Sequence, residues 1–314
     1  MKKKLKVCLR IFSLVLLLCV VLITTVIAGD YRRNTPPSPV GVKLVNNAKG
    51  VIVTWDKQSD IDGYRIYRRE ADKRTVELAE IKSATKNTYI DKTAESGLKY
   101  SYSVSAYSGK YESKTAEPKV VVHLSMPQIH SIRNGYDGVT VGWSEVKGAK
   151  AYNVYRMDGT KPVLLATVKA DAPCEYTDKD TLTGKKYTYT VIAVDGRFKS
   201  AYQYKTSEKF VAAPQLKSTV NGNGYITVSW GPVFNSDTYR VYRKTAKTDW
   251  KLLTTVKADV LSVNDKSVKN GASYTYTVEA AKGVTVSGKN EKGIAGKYVS
   301  TPQNISLSNH NDGM

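Results

Sequence analysis

Cysteine, histidine and helical periodicity are what this chain has least of. Its 314 residues hold three Cys (Cys8, Cys19, Cys174) and three His (His123, His130, His310). So few thiols and imidazoles exclude a Cys/His metal centre, a disulfide scaffold and His-based nucleophilic catalysis. No G-x-S-x-G, H-E-x-x-H, Walker loop or G-x-G-x-x-G string occurs, so neither an enzyme nor a cofactor is expected. Beyond the first 28 residues no window sustains a helical stripe. Phe and Trp are scarce, four each, against 22 Tyr. What remains is ordinary globular usage, 41% apolar and 24% charged, which argues for packed domains.

The amino terminus reads as an export signal. Lys2, Lys3, Lys4, Lys6 and Arg10 precede an apolar run from Ile11 to Ala28 that only Ser13, Thr24 and Thr25 interrupt. This predicts a hydrophobic helix serving either as a cleaved signal peptide, residues 1–28, or as an uncleaved signal-anchor crossing a membrane through residues 7–28. Both readings place the rest of the chain outside the cytoplasm, secreted or at the cell surface, because the positive flank stays inside. Cys19 is no lipid-attachment site, since Leu18 precedes it where a small residue is needed. With the leader removed Cys174 has no partner for an intrachain disulfide. Residues 29–38 follow as a polar, Pro-rich spacer.

The rest repeats itself three times. Trp55, Trp143 and Trp230, like Gly97, Gly184 and Gly271, recur about every 87 residues, and Pro39, Pro127 and Pro214 open the copies. Matching strings surround them: GYRIYRRE, AYNVYRMD and TYRVYRKT, then GLKYSYSVSAY, GKKYTYTVIAV and GASYTYTVEAA. A unit this long exceeds a solenoid repeat, so each copy is a domain with its own core. Within each, apolar residues alternate with polar ones, as in Val51, Val53 and Trp55 or Tyr274, Tyr276, Val278 and Ala280. That period predicts half-buried antiparallel strands, six or seven per copy, hence β-sandwiches.

These strings resemble the fibronectin type III modules of bacterial exported proteins. The likeness rests on the strand-B Trp, the strand that starts at Tyr64, Tyr152 and Tyr239, and Gly-x-x-Tyr-x-Tyr-x-Val-x-Ala at each Gly. It implies an all-β chain of three tandem immunoglobulin-like sandwiches after the N-terminal hydrophobic helix. The modules would span residues 39–124, 125–212 and 213–302, with a polar tail at 303–314. It also implies that Trp55, Trp143 and Trp230 lie in the cores beside Tyr100, Tyr187 and Tyr274. Those tyrosines would be corner residues whose hydroxyls bond to backbone upstream. Val263 stands where the other copies have Tyr89 and Tyr176, so the third copy's strand there is expected to pack differently.

Candidate functional residues follow from the strand period. With Tyr64 and Ile66 inward, Arg65, Tyr67 and Arg69 face out, as do Tyr155 in the second copy and Arg240, Tyr242 and Lys244 in the third. An aromatic flanked by cations can stack on sugars or partner side chains, or can simply fill cross-strand pairs. Acids recur at Asp91, Asp178 and Asp265, where bonding to turn amides competes with ion binding. No metal site is assigned. His123 and His130 flank a joint and read as linker residues. Cys174 reads as passive or as an interchain thiol.

Lys plus Arg outnumber Asp plus Glu by 48 to 28. The first copy holds 15 cations and 11 anions, the second 13 and 9, the third 13 and 6. A basic exported chain is drawn to anionic glycans or to envelope and extracellular proteins in a salt-sensitive way. Nucleic acid is not expected, because no Lys/Arg-rich segment appears. The leading expectation is a non-enzymatic, exported or surface-anchored multi-module protein acting as an adhesive scaffold or spacer. Accessory binding modules of a secreted carbohydrate-active or wall-remodelling enzyme system and a membrane receptor ectodomain are the alternatives.

Overall fold

A computed structural model describes residues 35–301. The expected leader helix, most of the spacer and the polar tail lie outside the described residues. Among the described residues no helix is long and apolar enough to cross a membrane.

The first module is built from β1 (Lys43–Asn47), β2 (Gly50–Thr54), β3 (Gly63–Glu70), β4 (Val76–Ile81), β5 (Thr88–Asp91), β6 (Lys99–Ser108), β7 (Tyr111–Glu112) and β8 (Lys119–Val122). One sheet has the order β1-β2-β5, the other β4-β3-β6-β7, with β8 also paired to β6. All pairs are antiparallel. The second module repeats this with β9 (Ile129–Asn134), β10 (Val139–Trp143), β11 (Ala151–Asp158), β12 (Lys161–Lys169), β13 (Glu175–Asp178), β14 (Thr188–Asp195), β15 (Phe198–Lys199) and β16 (Lys205–Thr206). The third uses β17 (Leu216–Gly222), β18 (Tyr225–Trp230), β19 (Thr238–Lys244), β20 (Lys251–Lys257), β21 (Ser262–Asp265), β22 (Ser273–Lys282), β23 (Thr285–Val286) and β24 (Ile294–Lys297). The described residues gather into two compact units. One takes the first module with Val146–Lys150 and Ala193–Ala201, the other the remainder.

Alternation decides which side chains fill each sandwich. In the first module Val51 and Val53 from β2 and Trp55 just after it meet Tyr64 and Ile66 from β3 and Tyr102, Val104 and Ala106 from β6, all buried. Ile226, Val228 and Trp230 play the same part in the third with Tyr239, Val241, Tyr276, Val278 and Ala280. Trp55 and Tyr64 meet edge-on at 5.1 Å between ring centroids and Trp230 and Tyr239 at 5.6 Å, while Trp143 and Tyr152 are tilted at 5.6 Å. None of the three indole N–H groups has a hydrogen-bond partner, so packing alone places the Trp rings.

Three expectations need correction. The central strand β6 is not half-buried: Ser103 and Ser105, on its outer side, are buried too, as Thr277 and Glu279 are on β22. Central strands of a sheet are covered when long side chains from their neighbours lie across them, and Tyr67 and Arg65 do this on β6. Tyr187 is half-buried, whereas Tyr100 and Tyr274 are buried. The strand beside it, β16, is two residues long against four in β8 and β24, so less chain covers the ring. Val263 keeps the register of its counterparts: Val228 opposes it as Val53 opposes Tyr89 and Val141 opposes Tyr176. A smaller side chain is accommodated without moving the strand.

Candidate ligand-binding face

Each module carries two polar systems, one joining the end of its three-stranded sheet to the five-stranded sheet and one on the outer face of the five-stranded sheet, and their geometries differ. The inner one closes the end of the core. Asp91 is fully buried where β5 ends. Its Oδ2 accepts from the Tyr102 hydroxyl at 2.7 Å and from Arg68 at 2.8 Å. Its Oδ1 accepts from the Thr93 backbone N–H at 2.9 Å and the Thr93 hydroxyl at 2.7 Å. The Arg68 guanidinium also lies 4.9 Å from the centre of the Tyr100 ring. The second module repeats the set with Asp178, Arg156 (2.7 Å), Tyr189 (2.8 Å) and the Asp180 N–H (3.1 Å). The third does so with Asp265, Arg243 (2.8 Å), Tyr276 (2.8 Å) and the Ser267 N–H (2.9 Å).

Turn amides therefore do take one oxygen of each repeated acid. The other oxygen belongs to an arginine and a tyrosine that the strand period had not singled out. Burial alone would raise the Asp91 and Asp265 carboxyls, but the hydrogen bonds outweigh it and hold both below the ordinary carboxylate value. Burial and the adjacent carboxylate push the Tyr102, Tyr189 and Tyr276 hydroxyls far up, so they stay protonated donors. Asp91 and Asp265 each accept four hydrogen bonds and Asp178 accepts three, which occupies most of their lone pairs. Among the described residues no group of three or more His, Cys, Asp or Glu is placed to hold a metal.

The corner tyrosines behave as the resemblance implied. Tyr100 accepts the Glu95 N–H at 3.0 Å, Tyr187 the Leu182 N–H at 2.7 Å and Tyr274 the Lys269 N–H at 3.0 Å, each five residues upstream. The glycine between donor and tyrosine is in the left-handed region, at φ 86° for Gly97, 87° for Gly184 and 79° for Gly271. A side chain there would be strained, which explains that landmark.

The outer face carries the sequence-predicted candidates. In the first module Arg65 donates to Glu112 on β7, and Tyr67 donates to the same carboxylate at 2.6 Å. Burial and Glu112 raise the Tyr67 hydroxyl. In the third, Tyr242 donates to Glu279 at 2.7 Å, and Lys289 sits 4.1 Å above its ring. Lys244 lies 4.2 Å from the Trp250 ring centre, and Trp250 in turn donates to Glu291 at 2.7 Å. Arg240 is half-buried opposite Glu279 on β22. In the second module the Tyr155 hydroxyl accepts from Asn153 at 3.5 Å, its one hydrogen-bond partner among the described residues. Arg69 alone of the candidates is exposed, and among the described residues its side chain has no partner. The tyrosines that looked like stacking platforms are thus bonded down to their own sheet in the first and third modules.

His123 is not a bare linker residue. It is buried just after β8, and its Nδ1 shares a 2.9 Å hydrogen bond with Asn46 Oδ1. Burial lowers its pKa, with the Asp91 charge opposing. His130 is exposed. Cys174 is half-buried, and burial pushes its thiol up, away from the reactive thiolate.

Comparison with known proteins follows the geometry. The family model described as the fibronectin type III domain matches residues 35–122. An amylopullulanase of Thermoanaerobacter thermohydrosulfuricus is 31% identical over 108 residues, 32% of this chain. The chain covers 7% of that relative's length. Among solved structures, the FN1–FN3 domains of chicken CNTN1 align over 85% of this chain and 100% of theirs at 15% identity, with a TM-score of 0.28. A two-domain fibronectin type III segment of chicken tenascin aligns over 55% and 99% at 18% identity, with a TM-score of 0.31. Superpositions that loose describe a likeness and decide nothing.

Proposed function

We propose that this chain, whose residues 35–122 match the fibronectin type III domain and whose other two copies repeat the same sheets, is a non-enzymatic, exported or surface-anchored protein working as an adhesive scaffold or spacer. Its partners on this reading are anionic polysaccharides and envelope proteins. One observation carries the proposal: cations outnumber anions in every module, and five of the carboxylates are already bonded within their own module. Asp91, Asp178, Asp265, Glu112 and Glu279 all accept hydrogen bonds from the module's own side chains. The surplus of cations over anions, present in every module, is therefore what the surface offers to a ligand. The basic, then apolar, start of the chain supports export.

The amylopullulanase likeness favours a second reading, accessory modules serving a carbohydrate-active enzyme. Co-sedimentation of the full chain with polygalacturonate and with pullulan, at low and at high salt, separates the two. Retention on the acidic polymer that high salt abolishes is the expected result. Salt-indifferent retention on the neutral glucan would favour the accessory reading, and retention on neither polymer would overturn both. Sequencing the amino terminus of the native protein checks export: a start at Gly29 marks release and a start at Met1 marks an anchor.

A further inference from the structure

The same place on the outer face is occupied differently in the three modules. In the first, Arg69 on β3 opposes Ser101 on β6, and Ser101 opposes Val120 on β8. Lys99 lies two residues before Ser101, on the same side of the strand. The turn Ala71-Asp72-Lys73 rises beside them, and together they line a cleft of about 390 Å³. That is within the size range of small-ligand sites.

Among the described residues neither Arg69 nor Lys99 has a side-chain hydrogen bond or ion pair. Lys73 does: it is held by Glu70 at 2.8 Å. In the second module Met157 stands in the position of Arg69, and the Lys at the position of Lys99, Lys186, pairs with Glu208 at 3.6 Å. In the third, Lys244 takes the Arg69 position. Trp250 lies under its ammonium, and the Glu291 carbonyl accepts from it at 3.3 Å. In two of the three modules a cation at this place is thus already engaged. The first stays open with its cations unspent.

We propose that the Arg69–Lys99 cleft of the first module binds the carboxylate of an acidic sugar unit, a uronate, within a longer polysaccharide. Charge selects the ligand. The cleft is lined by Arg69, Lys73, Lys99 and Asp72, and Glu70 pairs with Lys73, which leaves about one positive charge. A singly charged carboxylate balances that, whereas a doubly charged phosphate exceeds it beside Asp72. A guanidinium offers paired donors to a carboxylate. Ser101 and the Asp72 carboxylate can meet ring hydroxyls, and Val120 and Ala71 give an aliphatic wall for the ring's C–H face. The assignment rests on the acidic-polysaccharide reading above and locates it.

The test uses the full chain. Titration with tri-galacturonate, followed by calorimetry, is compared for the wild type, Arg69→Ala/Lys99→Ala, and Lys244→Ala. Both cleft cations are exposed, so unchanged circular dichroism is expected for the double variant. The wild type and Lys244→Ala should bind alike, and the double variant roughly tenfold or more weaker. Equal binding by the double variant, or inorganic phosphate binding more tightly than the uronate, would overturn the assignment. Retention on polygalacturonate distinguishes the two levels. Retention that ignores Arg69 and Lys99 sinks the cleft alone, while no retention of the wild type sinks the acidic-polysaccharide reading with it.

Discussion

The inner and outer polar systems of each module obey different rules. At the inner one, Asp, Arg and two Tyr recur three times with nearly the same distances, 2.7–2.8 Å for every Oδ2 contact. On the outer face the acid that quiets the central tyrosine comes from β7 in the first module and from β22 in the third. In the second, where Ile192 and Lys199 stand in those places, it is missing. Burial explains the contrast. A buried carboxylate must have all its partners or leave an uncompensated charge, so no member of the set can drift alone. A half-exposed tyrosine can trade its partner for water at little cost, and that face is free to differ between modules.

The sharpest way to break this comparison is to remove the buried acid. Asp91→Ala, Asp178→Ala and Asp265→Ala should each destabilise their module by about 3–5 kcal/mol, because Arg and Tyr are left behind unpaired. Urea unfolding of the chain reads this. A cost under about 1 kcal/mol in any one module would mean that the three sets are not equivalent. Tyr102→Phe comes next, at about 1.5–3 kcal/mol, the worth of a hydrogen bond to a charged group.

Acid sharpens the contrast without mutation. The Asp91 and Asp265 carboxyls lie below their ordinary value of 3.8 in the fold, so their stabilisation is complete above that pH and is lost as pH falls through the lower folded values. His123 lies below 6.5 in the fold, so the unfolded chain takes up its proton first. First-module stability should therefore fall as pH drops below about 6.5, before the carboxylates titrate. His123→Gln would flatten that step in a denaturation series run from pH 7.5 to 5. The smallest effects belong to the outer face. Tyr67→Phe and Tyr242→Phe should cost under about 1 kcal/mol and Tyr155→Phe close to nothing, measured by the same urea series. A large loss at Tyr155 would erase the distinction between the two systems.

Much of the fold was legible because repetition amplifies a weak local signal. The period of two placed Tyr64, Ile66, Tyr152, Val154, Tyr239 and Val241 in the cores, and they are buried there. The triple Gly-x-x-Tyr placed the corner, since only glycine takes its backbone angle without strain. The inner set left a trace too: Arg68, Arg156 and Arg243 recur in strings where the residues around them change. Strand parity puts these arginines on the core side, a position that invites a buried partner, and Asp91, Asp178 and Asp265 recur with them. Reading the two recurrences together would have found the pair. The open cleft left no such trace, because Arg69, Met157 and Lys244 differ and nothing local says which cation is already spent.

Sequence alone settled the strand period, the threefold repeat and the side of the sheet each residue takes, because these depend on neighbours within a few positions along the chain. Only the tertiary structure decided which charges are neutralised. Glu112 reaches Tyr67 across 45 residues and Trp250 reaches Glu291 across 41, and such meetings follow from how strands pair, which no local pattern encodes.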